Sequence, residues 1–131
     1  MNRRVVLDTN IIVSAMFASN SNPYRILDLA LSGAIEFYFS EPIFKEYKEV
    51  LFRPKFDFAV ERIEVVLNSL RNVGNVVMPI PSAFAMTDET DRKFYDAAFC
   101  CGAALVTGNI KHYPNEPFII TPANFLADSE A

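Results

Sequence analysis

The first apolar run of the chain, Arg4-Val5-Val6-Leu7, stops abruptly at Asp8-Thr9-Asn10. Such a run reads as a short buried strand that delivers a carboxylate, a hydroxyl and an amide to the edge of a sheet. In an open α/β sheet, ligands sit beyond the carboxyl ends of the strands, so Asp8 stands where a site should be. The alternative is that Asp8 only caps the next helix. Glu46 is a second acid of interest. It falls three residues after Ile43 and four before Val50, on the stripe those residues mark as buried. A carboxylate there is costly unless its charge is compensated, the alternative being a rim position that reaches water. Asp88 and Asp91, in Thr87-Asp88-Glu89-Thr90-Asp91, are three apart at a helix start and share a face with Tyr95, although acids there also suit the helix dipole. Val106-Thr107-Gly108-Asn109 repeats the pattern of a buried strand followed by a polar turn, with an amide in place of an acid.

Acids converging at one end of a sheet repel. At an effective dielectric of about 20, two carboxylates roughly 4 Å apart cost on the order of 4 kcal/mol. A divalent cation removes that cost, and oxygen ligands select hard ions such as Mg²⁺ or Mn²⁺. No Cys or His lies where zinc would need it. Such a site suits phosphoryl chemistry, in which the cation activates water and offsets charge on the phosphate oxygens. The other acids have simpler roles. Glu49 suits an exposed face, Glu41 faces the dipole of a first turn, and Asp96 falls four residues after Arg92 as an exposed ion pair.

Apolar runs and helical patterns alternate from end to end. Strands are expected at Val5–Leu7, Ile35–Phe39, Val76–Met78, Ala104–Thr107 and Phe118–Ile120. Helices fall between them: one opened by Asn22-Pro23, one from Ser40-Glu41-Pro42 with Ser40 as N-cap, and one over about Phe58 to Asn72. A fourth is closed by Gly102, and Thr121-Pro122 starts a last helical turn. Short strands separated by helices imply right-handed crossovers and a mostly parallel sheet covered on both faces. A single domain over residues 1–126 is expected, with 127–131 as a frayed acidic tail.

The 131 residues suffice for one domain with a real core. With 51% hydrophobic and 21% charged residues the chain is globular rather than disordered. Its net charge of −4 means that any nucleic-acid role must rest on a local basic patch or on metal ions. Cys100 and Cys101 are adjacent in a predicted helix and point apart, so they read as thiols rather than a disulfide. Asp8 and Asn10 interrupt what would otherwise mimic a signal peptide, and no apolar run approaches a membrane span. A cytoplasmic protein is expected. Twelve Phe exceed what one small core hides. Exposed aromatics would mark a dimer or partner interface; Phe52, Phe56, Phe58, Phe84 and Tyr113 could stack on bases, the favoured alternative for most of them being core or interface packing.

Four segments together carry a family likeness: Asp8-Thr9-Asn10, Ser40 to Glu46, Asp88 to Phe94, and Val106 to Tyr113. In order and spacing they resemble the PIN-domain ribonucleases, most of all the VapC-like branch of toxin components of toxin–antitoxin systems. The resemblance spans nearly the whole chain. It implies a three-layer α/β/α sandwich around a five-stranded parallel sheet of order 3-2-1-4-5. It implies an acidic Mg²⁺ or Mn²⁺ site built from Asp8, Glu46 and Asp91, with single-stranded RNA as substrate. It also implies homodimerisation and a cognate antitoxin. On this expectation Asp8 and Asp91 hold the cation, Glu46 orients the ligands or the attacking water, and Asn109 acts in the site. Thr9, Asn10, Asp88 and Thr107 surround it, while Arg92, Lys93, Lys111 and His112 are candidates for gripping RNA.

Many PIN domains carry an acid where this chain has Asn109. The next acid, Glu116, lies beyond a Pro and is poorly placed to substitute. A PIN fold that has lost catalysis and works as a binding or regulatory module is therefore the alternative reading. A signalling receiver domain fits less well, because Pro79-Ile80-Pro81 and Thr121-Pro122 stand where its phospho-accepting Asp and its Lys would be.

Overall fold

The computed structural model describes residues 3–129. Five strands form one sheet of order β3-β2-β1-β4-β5, and every neighbouring pair is parallel. They are β1 (Arg4–Leu7), β2 (Glu36–Phe39), β3 (Asn75–Val76), β4 (Ala104–Val106) and β5 (Ile119–Ile120). Six helices connect and cover them: α1 (Thr9–Phe17), α2 (Asn22–Leu31), α3 (Glu41–Leu51), α4 (Val60–Val73), α5 (Arg92–Cys101) and α6 (Pro122–Ser129). The sheet order is the one the resemblance implies.

Central position explains why β1 is Val-Val-Leu with no polar alternation. A parallel strand covered on both faces must be apolar throughout, and Val5, Val6 and Leu7 are fully buried. Val5, Val6 and Leu7 pair with Ala104, Leu105 and Val106 of β4, while Arg4 and Val5 pair with Glu36 and Phe37 of β2. The chain order reverses between β1 and β4. That crevice is the topological switch point, where α/β folds bind ligands.

Local signals fix the helix ends. Ser40 caps α3 by accepting from the Ile43 N–H, with Pro42 in the first turn. Gly102 ends α5 in the left-handed region at φ +66°, where a side chain would be strained. Gly74 closes α4 for a different reason: a Cβ there would lie 2.6 Å from the Phe39 ring. Between helices, Phe37, Phe39, Tyr47 and Phe94 stack through the core with centroid distances of 5.6 to 6.5 Å. Truncating such rings costs about 3–5 kcal/mol each.

Several expectations need correction. Strand β3 is shorter than Val76–Met78, because Met78 is 90% exposed at a sheet edge and Pro79 has no N–H to continue the ladder. Helix α6 runs to Ser129, with Phe125 and Leu126 buried and the Arg3 guanidinium 3.8 Å from the Phe125 ring centroid. Residues 130 and 131 of the expected tail lie outside the described residues. Asp96 is not an exposed partner of Arg92. It is buried and accepts the Ser82 N–H, because the segment after β3 folds back over α5. Cys100 and Cys101 are free thiols, as expected. Among the described residues no helix is long and apolar enough to cross a membrane.

Candidate active site

The site forms where β1 and β4 end side by side. Asp8 extends β1 by one residue, its N–H bonded to the Val106 carbonyl, and Thr107 extends β4 against β5. Asp8 occupies the N-cap position of α1, yet its side chain makes no capping bond. Its carboxylate instead accepts from Thr107 Oγ1 at 2.8 Å and from the Tyr113 hydroxyl at 3.0 Å. The capping alternative for Asp8 therefore fails. Both bonds fall on Oδ2, so Oδ1 is not spent on them.

Asp91 mirrors this arrangement. It occupies the N-cap position of α5 without capping it. Its side chain is 17% exposed, with His112 Nδ1 3.6 Å from Oδ2. Asp88 behaves differently. The segment is a 3₁₀ turn over Glu89–Asp91 rather than α-helix, and Asp88 spends its Oδ1 on the Thr90 N–H and hydroxyl. Those bonds hold its carboxyl below the usual range, at an exposed rim.

Glu46 points from the second turn of α3 toward the same place. Thr9 Oγ1 donates to its Oε2, and Lys93 Nζ lies 2.7 Å from its Oε1. Lys93 also donates to the Thr90 carbonyl. The pair is compensated and mostly buried, with side-chain exposures of 23% for Lys93 and 25% for Glu46. Glu46 is thus paired and largely shielded rather than extended into solvent. Beside it runs a cleft of about 390 Å³ lined by Pro42, Lys45, Thr90 and Lys93, by Glu46, and by the Arg53–Glu49 ion pair.

The acids feel one another. Burial raises the Asp8 carboxyl above its usual range and the charge of Glu46 adds to this, against the Thr107 and Tyr113 bonds that lower it. Asp91 is pushed up to about 6, first by burial, then by Asp8 and Asp88, with His112 opposing. Burial and the same acids drive the Tyr113 phenol far above its usual range, so it stays a neutral donor to Asp8.

Asn10 and Asn109 enter through the turn after β4. Asn10 Oδ1 accepts the Gly108 N–H at 3.1 Å, and the Asn109 N–H donates to Thr107 Oγ1 at 3.0 Å. Thr107 is thus a relay, holding the turn with one bond and Asp8 with another. Asn109, Lys111 and His112 are exposed around the mouth. Arg92 is committed elsewhere, its guanidinium bonded to Glu89, Ser82 and the Phe84 carbonyl. Glu116 accepts from the Tyr95 hydroxyl at 2.6 Å.

Of the two readings open for Tyr113, base stacking or packing, the structure has packing. Tyr113 is buried against Asp8 rather than free to stack on bases. Nothing local signals this, since 105 residues separate the two. Nor was the pairing of Lys93 with Glu46 legible, although a Lys one helical position from a buried stripe facing a buried acid is a signal that could have been weighed.

Among the described residues, no three His, Cys, Asp or Glu side chains are grouped closely enough to hold a metal ion between them. The donor set nevertheless fits a hard divalent cation. It is all oxygen, partly desolvated, and self-repelling, and Asp8 and Asp91 both retain capacity that helix capping does not use.

A sheet of this order with unspent acids at its switch point defines a class of α/β domain with a built acidic site. The PIN-domain family model matches residues 4–111, and the chain belongs to that family. An uncharacterized protein of Methanocaldococcus jannaschii, MJ1680, is 32% identical over 109 residues, covering 81% of this chain and 70% of that protein. The fold is shared with a chain of the crystal structure of VapBC2 from Rickettsia felis bound to a DNA fragment from their promoter. That match has a TM-score of 0.58 at 18% identity, over 90% of this chain and 96% of that one.

Proposed function

We propose that this protein is an endoribonuclease dependent on Mg²⁺ or Mn²⁺ that cleaves single-stranded RNA, and that it is the toxin of a toxin–antitoxin pair. The observation that carries the reading is the pair of aspartates at N-cap positions, neither capping, both raised in pKa at the switch point of a PIN fold. Carboxylates kept in such a costly arrangement point to a ligand that repays it.

Asp8 and Asp91 would hold the cation. When bound, it would supply charge neutralisation at the phosphate and lower the pKa of water. The residues around it do the positioning. Thr107 and Tyr113 fix the Asp8 carboxylate through Oδ2. Asn10 holds the Gly108 turn, which keeps Thr107 and Asn109 in place. Thr9 and Lys93 orient Glu46, which would align the attacking water. The cleft beside Glu46, with Lys45, Arg53 and Lys93 on its walls, is the path we assign to the RNA backbone; Lys111 and His112 would guide it at the mouth.

The likeness to a VapBC2 chain supports an antitoxin partner. Exposed Phe17, Phe52, Phe99, Met78 and Ile80 support a partner or homodimer surface. A cytoplasmic location fits the free thiols. Asn109 favours a second reading, a PIN module without catalysis, because the site has three acids plus a rim aspartate and no acid at the β4 turn.

The deciding experiment is cleavage of a mixed-sequence single-stranded RNA with Mn²⁺ or Mg²⁺, then with EDTA, using Asp8→Ala purified identically. Cleavage that needs metal and vanishes in the variant is expected. Equal cutting by both proteins would identify a contaminant. No cutting by either, with Mn²⁺ still bound, would favour the inactive module.

A further inference from the structure

Asp8, Asp91 and Glu46 influence one another electrostatically at this end of the sheet without all three being grouped closely enough to share one ion, and one ammonium stands among them. Lys93 sits in the first turn of α5, two residues after Asp91, with Nζ 2.7 Å from Glu46 Oε1 and a second bond to the Thr90 carbonyl. Thr9 occupies the other Glu46 oxygen. Both oxygens of Glu46 are therefore taken by side-chain donors, whereas both side-chain bonds to Asp8 fall on Oδ2, its other contact being the Thr9 backbone N–H, and Asp91 has His112 at 3.6 Å. The inner charges of Asp8, Asp91, Glu46 and Lys93 sum to minus two. One divalent ion brings that to zero, and a second would leave an excess of two positive charges in a partly desolvated space. Asp88 does not alter the balance, because it is exposed and bonded to Thr90, where solvent screens it.

We propose that Lys93 is the built-in second cation of this site: by neutralising Glu46 it limits the site to one divalent ion, held by Asp8 and Asp91. Its ammonium also lines the cleft, so it presents a fixed positive charge to a polyanion there. A family expectation that Glu46 ligates the metal is thereby replaced by a role as the anchor of Lys93. The inference rests on the reading of this site as a cation site, and not on RNA being its substrate.

The test is calorimetric titration of the metal-free protein with Mn²⁺, without RNA. Wild type should bind one equivalent. Lys93→Met should take up a second, with the first bound about tenfold more tightly or better once a nearby positive charge is gone. Lys93→Arg should remain at one. Glu46→Gln added to Lys93→Met should abolish the second equivalent, since Glu46 is its ligand. That loss separates a specific role from a general charge effect, and thermal melts of each metal-free variant confirm folding. Two equivalents in wild type, one in Lys93→Met, or no uptake by wild type would each overturn the proposal. Binding as expected with no RNA cleaved would leave it standing and refute the nuclease instead.

Discussion

Asp91→Asn should make the metal-free protein more stable, and only at higher pH. The Asp91 carboxyl is raised from 3.8 to about 6 by burial and by repulsion from Asp8 and Asp88. Below about pH 3 it is protonated in both folded and unfolded chains, and its contribution is intact. As pH rises, the unfolded chain ionises first while the folded chain keeps its proton, so stability falls until the folded carboxyl has also ionised above about pH 6. A shift of about two units corresponds to roughly 2–3 kcal/mol. With only 17% of the side chain exposed, solvent relieves little of this. Asparagine removes the charge at nearly constant shape. In EDTA, urea unfolding at pH 8 should therefore show the variant about 2–3 kcal/mol more stable, or a melting point roughly 5–10 °C higher. The advantage should shrink to nothing by about pH 3, below both the folded and the unfolded value. A variant less stable than wild type at pH 8, or a gain that does not depend on pH, would refute the claim that this carboxylate is held against its own electrostatics.

Three further outcomes follow from the same contacts. Tyr113→Phe removes a buried bond to the Asp8 carboxylate and should cost about 1.5–3 kcal/mol in urea unfolding at pH 8, with Mn²⁺ affinity falling as Asp8 loses its orientation. Asn109→Asp restores an acid beside Thr107 and should tighten Mn²⁺ binding; a calorimetric titration with unchanged affinity would count against the amide as the site's weak point. Asp96→Ala leaves the Ser82 N–H without its acceptor and should destabilise by about 1–3 kcal/mol while Mn²⁺ affinity stays unchanged, which would mark Asp96 as structural.

What could be read from the sequence was what is encoded locally. The abrupt end of β1 at Asp8, the Ser40 cap with Pro42, and the Gly102 stop each depend on a few neighbouring residues, and each appears where expected. The buried stripe of α3 correctly drew Glu46 inward. The failures share a different cause. Asp96 was assigned by the spacing rule for exposed helix pairs, which knows nothing of the segment over residues 77–86 that covers α5. Asp88 and Asp91 were treated as one helical face, but the 3₁₀ turn gives Asp88 a local partner in Thr90 and leaves Asp91 to the site. Tyr113 and Lys93 acquire their roles only through chain segments far away in sequence.

The distance along the chain between Asp8 and its two supports also orders events in time. Thr107 follows Asp8 by 99 residues and Tyr113 by 105. At synthesis rates of roughly 5–20 residues per second, the strand bearing Asp8 leaves the ribosome several seconds before either. Strand β1 lies at the centre of the sheet and cannot complete its pairing until β4 arrives. A stalled or truncated product ending before residue 106 therefore carries Asp8, Glu46 and Asp91 but neither hydroxyl that steers the first of them. The acidic end of the sheet is therefore completed only when the last strands of the fold have been made.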